Sequence, residues 1–309
     1  MRSATRRNNN QSTAACHEVR EEQPLKKILM ASALAAGLLA VTGVAYVNAD
    51  PIDAELLIDG QKMITKVAAP EGHPFKELYS GWLFREPETR ALEEDSFDNP
   101  GMLTVEEGAT EWNKVEGTAG KSCASCHGDG VESMKGVGAS YPKWDAASSK
   151  PINIELKIND CREKQMGADP FKFDDSRQIA LTSFIKNKSL GMPVSVDLSQ
   201  GDMQKWWDMG KDVYYTRFGQ LNMSCATCHE VNMGKMIRAD HLSQGQINGF
   251  PTYRLKDAGM VSAQQRFVGC VRDTRAETFK AGSDEFKALE LYVASRGNGL
   301  SVEGVSVRH

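Results

Sequence analysis

The sequence predicts a mainly α-helical protein in which one small domain occurs twice in tandem, behind a largely irregular N-terminal arm. The first observation is an internal repeat within the 309 residues. Two segments match at an offset of 102 residues, which settles at 108 after insertions. The matched pairs are Gly108/Gly210, Trp112/Tyr214, Gly117/Gly219, Ser122/Ser224, Phe171/Phe279, Leu181/Leu289, Phe184/Tyr292 and Gly191/Gly299. The repeat predicts that internal duplication produced residues 104–195 and residues 196–309.

The second observation is a helix pattern that both copies share. In each copy a glycine precedes an aromatic residue by four positions, which places bare backbone and a large ring on one helix face. We expect the closing helix of each copy to cross this helix closely at the glycine. In the second copy Ser283 is the predicted N-cap of the closing helix, and Gly297 is the predicted C′ residue after its end. Gly191 is predicted to end the corresponding helix of the first copy, and strands should be scarce.

Each copy also contains one CxxCH motif. The motifs are Cys123-Ala-Ser-Cys126-His127 and Cys225-Ala-Thr-Cys228-His229. Two thiols at this spacing bind both vinyl groups of one haem, and the adjacent histidine binds the iron. A zinc site would need four ligands, and a dithiol redox pair would not need the histidine, so both alternatives fit less well. The motifs predict two covalently bound haem c groups, each at the centre of a class I-like cytochrome c domain that is too small to fold around side chains alone.

An apolar run near the N-terminus predicts export. Ile28 to Val47 follow two lysines, and the run closes on Val47-Asn48-Ala49. This pattern predicts a signal peptide over residues 1–49 that is cut after Ala49. An uncleaved membrane anchor is the alternative, because 20 apolar residues could span a bilayer. We expect the mature protein in the periplasm, without Cys16, which leaves with the leader.

Residues 50–103 contain no CxxCH motif. Glycine and proline interrupt their short polar and aromatic pieces, which predicts a mostly irregular arm with one or two helices. Trp82, Phe84 and Phe97 are expected to be packing residues.

The charge of the chain excludes one class of partner. Acidic residues outnumber basic ones, 41 to 37, for a net charge of −4, and removal of the leader makes the balance more acidic. This balance argues against nucleic acid as a partner.

One further cysteine follows each motif. Cys161 lies 34 residues after the first motif histidine, and Cys270 lies 41 residues after the second. The two cysteines correspond in the repeat, whereas no pair of methionines does at a plausible distal position. We therefore predict His127 and Cys161 as the axial ligands of the first haem iron, and His229 and Cys270 as those of the second.

Two alternatives to thiolate ligation remain. A methionine would be usual in an electron carrier, and the available residues are Met134, Met166, Met192, Met223, Met233 and Met236. A Cys161–Cys270 disulfide would suit the periplasm. However, matching positions of tandem domains normally lie farther apart than the roughly 7 Å that a disulfide tolerates. A thiolate ligand would lower the potential of the iron, which favours sulfur chemistry over simple electron carriage.

Three arginines lie close to Cys270 in the sequence: Arg266, Arg272 and Arg275. Guanidinium groups near a thiol would lower its pKa and could bind a sulfonate-like anion. Arg266 is the predicted anion contact, whereas the roles of Arg272 and Arg275 stay open between surface charge and haem propionate partner. Near Cys161 only Arg162 and Lys164 are comparable, so the first site is less equipped for a substrate.

Over essentially the whole mature chain, the sequence resembles the diheme A subunits of SoxAX cytochromes, which are L-cysteine S-thiosulfotransferases. Three features carry the resemblance: the stretch from Ser80 to Met102, both CxxCH motifs, and the segment Arg266-Phe-Val-Gly-Cys270-Val-Arg-Asp-Thr-Arg-Ala. It implies that thiosulfate is joined oxidatively to a cysteine of the SoxYZ carrier protein, with release of two electrons.

The resemblance also implies roles for residues and partners. Cys270 would be both distal haem ligand and catalytic sulfur, Arg266 would hold the anion, and Cys161 would be the sixth ligand of the first haem. A monohaem SoxX subunit would complete the enzyme and pass electrons to a downstream cytochrome, with no membrane contact after signal cleavage.

Two other functions are the alternatives. A non-catalytic diheme electron-transfer protein would require His/Met ligation, and a diheme peroxidase would need an open iron site with an acid–base group such as His73 or His241.

Overall fold

Two pairs of crossed helices form the centre of the structure, a computed structural model that describes residues 53–309. The signal peptide predicted for residues 1–49 lies outside the described residues. All of the described residues belong to one unit. No helix in residues 53–309 is long and apolar enough to cross a membrane.

The N-terminal arm contains two short hairpins, which its sequence does not predict, in addition to the predicted helical structure. Strands β1 (Leu57–Ile58) and β2 (Gln61–Lys62) form a hairpin, as do β3 (Lys66–Ala68) and β4 (Glu77–Tyr79). A short 3₁₀ helix (Gly81–Phe84) and helix α1 (Pro87–Glu94) follow. The arm therefore contains the one or two helices that its sequence predicts, together with two short hairpins, and the rest of it is irregular.

The packing of the arm residues was predicted in part. Trp82 is buried with Leu83, Ile58 and Met63 in a small apolar cluster, and Phe84 packs against this cluster. Phe97 is instead 94% exposed, so within the described residues it is not a core residue, and its predicted packing role would require a partner.

In the first copy, helices α2 (Met102–Asn113) and α6 (Ser176–Asn187) cross at Gly108. A Cβ atom on Gly108 would lie 2.1 Å from the carbonyl oxygen of Ala180, so only glycine permits this approach. Trp112 packs on Phe184 at 5.2 Å between ring centroids. The predicted close crossing is confirmed here.

The rest of the first copy forms short elements around this crossing. They are α3 (Ala124–His127), α4 (Val137–Ser140), β5 (Lys143–Asp145), β6 (Lys150–Ile152), α5 (Ile154–Cys161) and a π-helical turn (Arg162–Met166). Helix α6 ends at Asn187 with Lys188 as its C-cap, so the prediction that Gly191 ends it is wrong. Gly191 has a φ of 76° and donates its backbone N–H to Val302 at 2.8 Å. It joins the two copies rather than closing the helix.

The second copy repeats the crossing with α7 (Met203–Tyr215) and α9 (Asp284–Arg296). A Cβ atom on Gly210 would lie 2.0 Å from the carbonyl oxygen of Ala288. The side chain of Ser283 accepts a hydrogen bond from the backbone N–H of Phe286, which confirms it as the N-cap. Gly297 follows the last residue of the helix as its C-cap, one position earlier than the predicted C′, and has a φ of −93°.

The remaining elements of the second copy surround a short sheet. They are a π-helical turn (Thr227–Val231), β7 (Met236–Ile237), β8 (Asp240–His241), β9 (Thr252–Arg254), a 3₁₀ turn (Leu255–Asp257), β10 (Gly259–Val261), α8 (Ala263–Asp273) and β11 (Ser306–Arg308). Strand β9 lies between β10, which is antiparallel to it, and β11, which is parallel. No strand in the described part of the chain exceeds three residues, so the mainly α prediction is confirmed.

Buried charges fix the arm to the end of the chain. Arg308 on β11 forms ion pairs with Glu93 on α1 and, at 2.8 Å, with Glu303. Glu93 also accepts the backbone N–H of Val307 at 2.9 Å, and Ser80 donates to Glu303. A buried charge is tolerated only when it is paired in this way. The arm is therefore part of the second copy's surroundings.

Candidate functional site

The first CxxCH motif lines a mainly apolar cavity of about 220 Å³. Cys123, Cys126 and His127 lie on one side, and Cys161 completes the set. Cys161 is the last residue of α5, which is fixed at its other end by Asn153, whose side chain accepts the backbone N–H of Leu156 at 2.9 Å. The structure thus brings the predicted ligand to the motif.

The second motif lines a cavity of about 200 Å³. Cys225, Cys228 and His229 come from the turn after α7, and Cys270 comes from α8. Helix α8 begins at a capping box, in which Ser262 and Gln265 exchange side-chain and backbone hydrogen bonds. Each cavity therefore contains two motif thiols, one imidazole and one separate thiol.

The imidazole of His229 is held in one orientation. Its Nδ1 lies 2.9 Å from the carbonyl oxygen of Ser243, which fixes the proton there and leaves Nε2 with its lone pair. Gly245 packs against the ring, where a Cβ atom would lie 2.8 Å from Cγ. Burial lowers the pKa of His229 to about 4. The ring is therefore neutral at physiological pH, which is the form that binds a metal.

The donor set fits haem c and argues against the alternatives raised above. All six cysteines of the described residues are free, so Cys161 and Cys270 do not form a disulfide. No group of three or more metal-ligating His, Cys, Asp or Glu side chains occurs within residues 53–309, which disfavours a zinc site. Two apolar cavities of similar size, each with an adjacent thiol pair and an imidazole, match one covalent haem apiece.

More methionines line the first cavity than the second, so methionine is a stronger alternative to the predicted thiolate ligand in the first. Met134 and Met166 both line the first cavity together with Cys161. Only Met223 lines the second, and it lies two residues before Cys225 on the loop of the motif itself. Thiolate ligation consequently has its stronger geometric support in the second cavity.

Arg266 lies one helical turn before Cys270 on α8, and both side chains line the second cavity. The backbone N–H of Arg266 donates to the carbonyl oxygen of Ser262 at 3.0 Å, but its guanidinium group has no hydrogen bond or ion pair with the described residues. The other two arginines of the segment are exposed: the side chain of Arg272 is 70% exposed and pairs with Asp273, and Arg275 faces solvent. Only one of the three predicted guanidinium groups therefore reaches the cavity.

Three further arginines in the second cavity could not be found from the sequence. They are Arg85 on the arm, Arg254 on β9 and Arg308 on β11. Arg85 pairs with Asp240, and Arg254 donates to the backbone oxygen of His309 at 2.9 Å. Since these residues and Arg308 have protein partners, they shape a cationic wall, while Arg266 keeps its donors free.

The first cavity lacks this cationic wall. Arg162 lines it but pairs with Glu116 at 2.6 Å and stacks on Phe171 at 3.6 Å from the ring centroid. As expected from the sequence, this site is less equipped for an anion. Of the two histidines considered as acid–base groups, His241 lines the second cavity, 3.3 Å from Glu86, whereas His73 lines neither.

A helical fold with CxxCH motifs in apolar cavities defines a c-type cytochrome. Comparison with known proteins agrees. The family model for the SoxA/TsdA cytochrome c domain matches residues 107–194 and 209–302. The L-cysteine S-thiosulfotransferase subunit SoxA of Pseudaminobacter salicylatoxidans is 66% identical over 84% of this chain and 91% of its own. The corresponding subunit of Paracoccus pantotrophus is 54% identical over 92% of this chain and 98% of its own.

A solved structure shows the same fold. The crystal structure of SoxXA from P. pantotrophus superposes with a TM-score of 0.80 at 56% identity, over 84% of this chain and 100% of that one. The chain belongs to the SoxA/TsdA cytochrome c family, on the SoxA side of it. Membership implies covalently bound haem c.

Proposed function

We propose that this chain is the diheme SoxA subunit of a periplasmic L-cysteine S-thiosulfotransferase, which conjugates thiosulfate oxidatively to a cysteine of the SoxYZ carrier. The relatives named for this activity cover nearly their whole length in the match. The observation within the chain that carries the proposal is the pairing of Cys270 with Arg266 in the second cavity. It combines a reachable sulfur with a free guanidinium group one helical turn away.

The overall reaction joins two sulfur atoms. The carrier thiolate and the outer sulfur of thiosulfate form an S–S bond, so that R–S⁻ and S–SO₃²⁻ give R–S–S–SO₃⁻ and two electrons. Arg266 would bind the sulfonate group through charge-assisted hydrogen bonds, which are the strong ones. This contact would direct the outer sulfur towards Cys270.

Cys270 would act as the intermediate sulfur. Its thiolate and thiosulfate would first form Cys270–S–S–SO₃⁻ with loss of two electrons. The carrier thiolate then attacks the sulfur next to the sulfonate, and the Cys270 thiolate leaves. The rate of such an exchange depends on access and on the acidity of the leaving thiol. Bound haem c supplies one-electron acceptors for the two electrons.

The protein groups that would hold the haems are those predicted from the sequence. Cys123 and Cys126 would bind the first haem and Cys225 and Cys228 the second, as thioethers. His127 with Cys161, and His229 with Cys270, would be the axial ligands. The remaining arginines of the second cavity would compensate propionate charge or attract anions.

The proposal includes partners and a location. The structural match is to SoxXA, which supports a SoxX subunit as the partner of this chain. SoxYZ as carrier, thiosulfate as substrate and a downstream cytochrome as electron acceptor complete the assignment. The periplasmic location rests on the predicted signal peptide and on the chemistry of haem c attachment.

Replacement of Cys270 tests the assignment. Cys270→Ser is expected to abolish thiosulfate-dependent turnover while intact-mass measurement still finds two haems per chain. Low-temperature electron paramagnetic resonance of the parent should show low-spin thiolate signals, and the variant should lose one set. Full activity of the variant, or His/Met signals in the parent, would contradict the proposal and favour a simple electron carrier.

A further inference from the structure

A small cavity of about 40 Å³ lies between the two larger ones. Tyr141 and Ile154 line both this cavity and the first motif's cavity. Ile247 and Phe250 line both this cavity and the second motif's cavity. A single layer of side chains thus separates the small cavity from each of the two cavities where haem would be bound.

The walls of this cavity carry three ionisable side chains from three different helices. They are Glu155 at the start of α5, Lys186 on α6 and Glu290 on α9. Both glutamates are more than nine-tenths buried. Carboxyl groups rarely lie in protein interiors without a full set of partners, because an unpaired buried charge is costly.

The hydrogen bonds of the cluster are unevenly distributed. Glu290 accepts from Asn153 at 2.8 Å and from Gln264 at 2.7 Å. The ammonium of Lys186 donates to the carbonyl oxygen of Gly138 at 2.7 Å. The carboxyl group of Glu155 has a hydrogen bond to backbone but none to another side chain among residues 53–309, and the hydroxyl of Thr182 in the same wall is buried without a partner. Both groups line a space large enough for a water molecule.

The three charges cannot all be carried in this environment. Burial, and next the neighbouring Glu290, raise the pKa of Glu155 to about 8. Burial also raises the pKa of Glu290 and lowers that of Lys186. Among residues 53–309, the charged side chains that shift the pKa of Glu155 are Glu290 and Lys186, and Tyr141 is the remaining titratable side chain in the wall. Burial and the neighbouring carboxyl group therefore favour the protonated form of Glu155 at neutral pH.

We propose that Glu155 and Glu290 form a redox-linked proton site, which takes up one proton when an electron enters an adjacent haem and releases it when the electron leaves. The inference rests on the two-haem part of the proposed function. The electron comes from the oxidation of thiosulfate and the carrier thiol, and the proton comes from solvent. Reduction of Fe(III) to Fe(II) adds one negative charge, and conversion of a carboxylate to a carboxylic acid removes one.

The physical basis is the short, poorly screened path between the sites. Charges in a protein interior interact several times more strongly than charges in water. An added electron in either large cavity disfavours a carboxylate in the small one, so electron and proton stabilise each other. The central position of the cavity would let one pair of glutamates respond to both haems.

The test is a spectroelectrochemical titration of the complete haem-loaded complex between about pH 6 and pH 10, the range around the raised pKa of Glu155. In the parent, the midpoint potential of at least one haem should fall as the pH rises. In Glu155→Gln and Glu290→Gln, which keep the side-chain shape but cannot ionise, the slope should flatten. Glu106→Gln, on the exposed face of α2, is the matched control and should keep the parental slope.

Two measurements keep the outcomes distinct. Intact mass establishes that each variant contains both haems, so that loss of haem, which would bear on the proposed function, is not mistaken for loss of proton coupling. Redox-difference infrared spectroscopy should show a protonated carboxyl band that grows on reduction of the parent and is missing from Glu155→Gln. Potentials independent of pH in the parent, or the parental slope and band in both glutamine variants, would overturn the inference.

Discussion

Replacement of Arg266 by alanine should lower kcat/KM for thiosulfate without disturbing the fold. The side chain of Arg266 has no ion pair or hydrogen bond with the described residues, so its removal leaves no protein group unpaired. Its loss should therefore appear only in the interaction with substrate. A hydrogen bond to a charged group contributes about 1.5–3 kcal/mol. Because about 1.4 kcal/mol corresponds to a factor of ten, kcat/KM should fall by about 10- to 150-fold.

The assay is thiosulfate-dependent reduction of a cytochrome acceptor in the presence of the carrier protein, at fixed ionic strength. Arg272→Ala is the matched control, because it removes the same group from the same helix at a position that is 70% exposed. The control should stay within about twofold of the parent, since an exposed charge interacts weakly. Arg266→Lys should be intermediate, because it keeps the charge but loses the bidentate geometry.

Two results would refute this reasoning. One is parental kcat/KM in Arg266→Ala, which would show that the anion is bound elsewhere, for example by Arg254. The other is an equal loss in Arg272→Ala, which would indicate a general electrostatic effect rather than a contact. Haem content and the unfolding temperature of each variant should match the parent, because a structural defect would otherwise imitate a loss of binding.

Two further predictions concern stability. Gly210→Ala should lower the unfolding temperature by several degrees, because the added Cβ would lie 2.0 Å from the carbonyl oxygen of Ala288. Overpacking of this kind costs about 1–3 kcal/mol. Gly259→Ala is the control for calorimetry and should change the unfolding temperature little, since the nearest atom to its Cβ would be 3.7 Å away. Burial raises the pKa of Glu155 from its ordinary value of 4.5 to about 8. The folded chain therefore keeps a proton that the unfolded chain releases near pH 4.5. The contribution of Glu155 to the free energy of unfolding should consequently be lost as the pH rises from about 4.5 to about 8. Denaturant titrations at pH 5, 7 and 9 should therefore show a weaker loss of stability in Glu155→Gln than in the parent, and equal losses would contradict the assigned burial.

The parts of the fold that follow local rules could be predicted from the sequence. The crossings at Gly108 and Gly210 follow from a bare backbone patch beside an aromatic ring, and Ser283 follows from the hydrogen-bonding needs of a helix start. The Asp59-Gly60 pair is also a local signal for a hairpin turn, because such turns require positive φ at both positions, as observed here. Its strands are only two residues long, too short for an alternating pattern to be visible.

The cavities could be predicted only in part, for a different reason. Cys270 and Arg266 lie within one helical turn, so their proximity is encoded locally. Arg85, Arg254 and Arg308 meet in the same cavity from three elements that are far apart in the chain. Likewise, Glu155 and Glu290 come together only because the two copies pack on each other. Proximity that depends on tertiary packing leaves no trace in local sequence.

The ion pair between Glu93 and Arg308 has a consequence for biosynthesis. The two residues are separated by 215 positions, and Arg85 is separated from its partner Asp240 by 155. Contacts between such distant segments form late in folding, because a long loop must close first. The arm therefore cannot complete its contacts until strand β11 has been synthesised. The second cavity, which Arg85 and Arg308 line, can consequently be completed only after the whole chain, including the first CxxCH motif, has been synthesised.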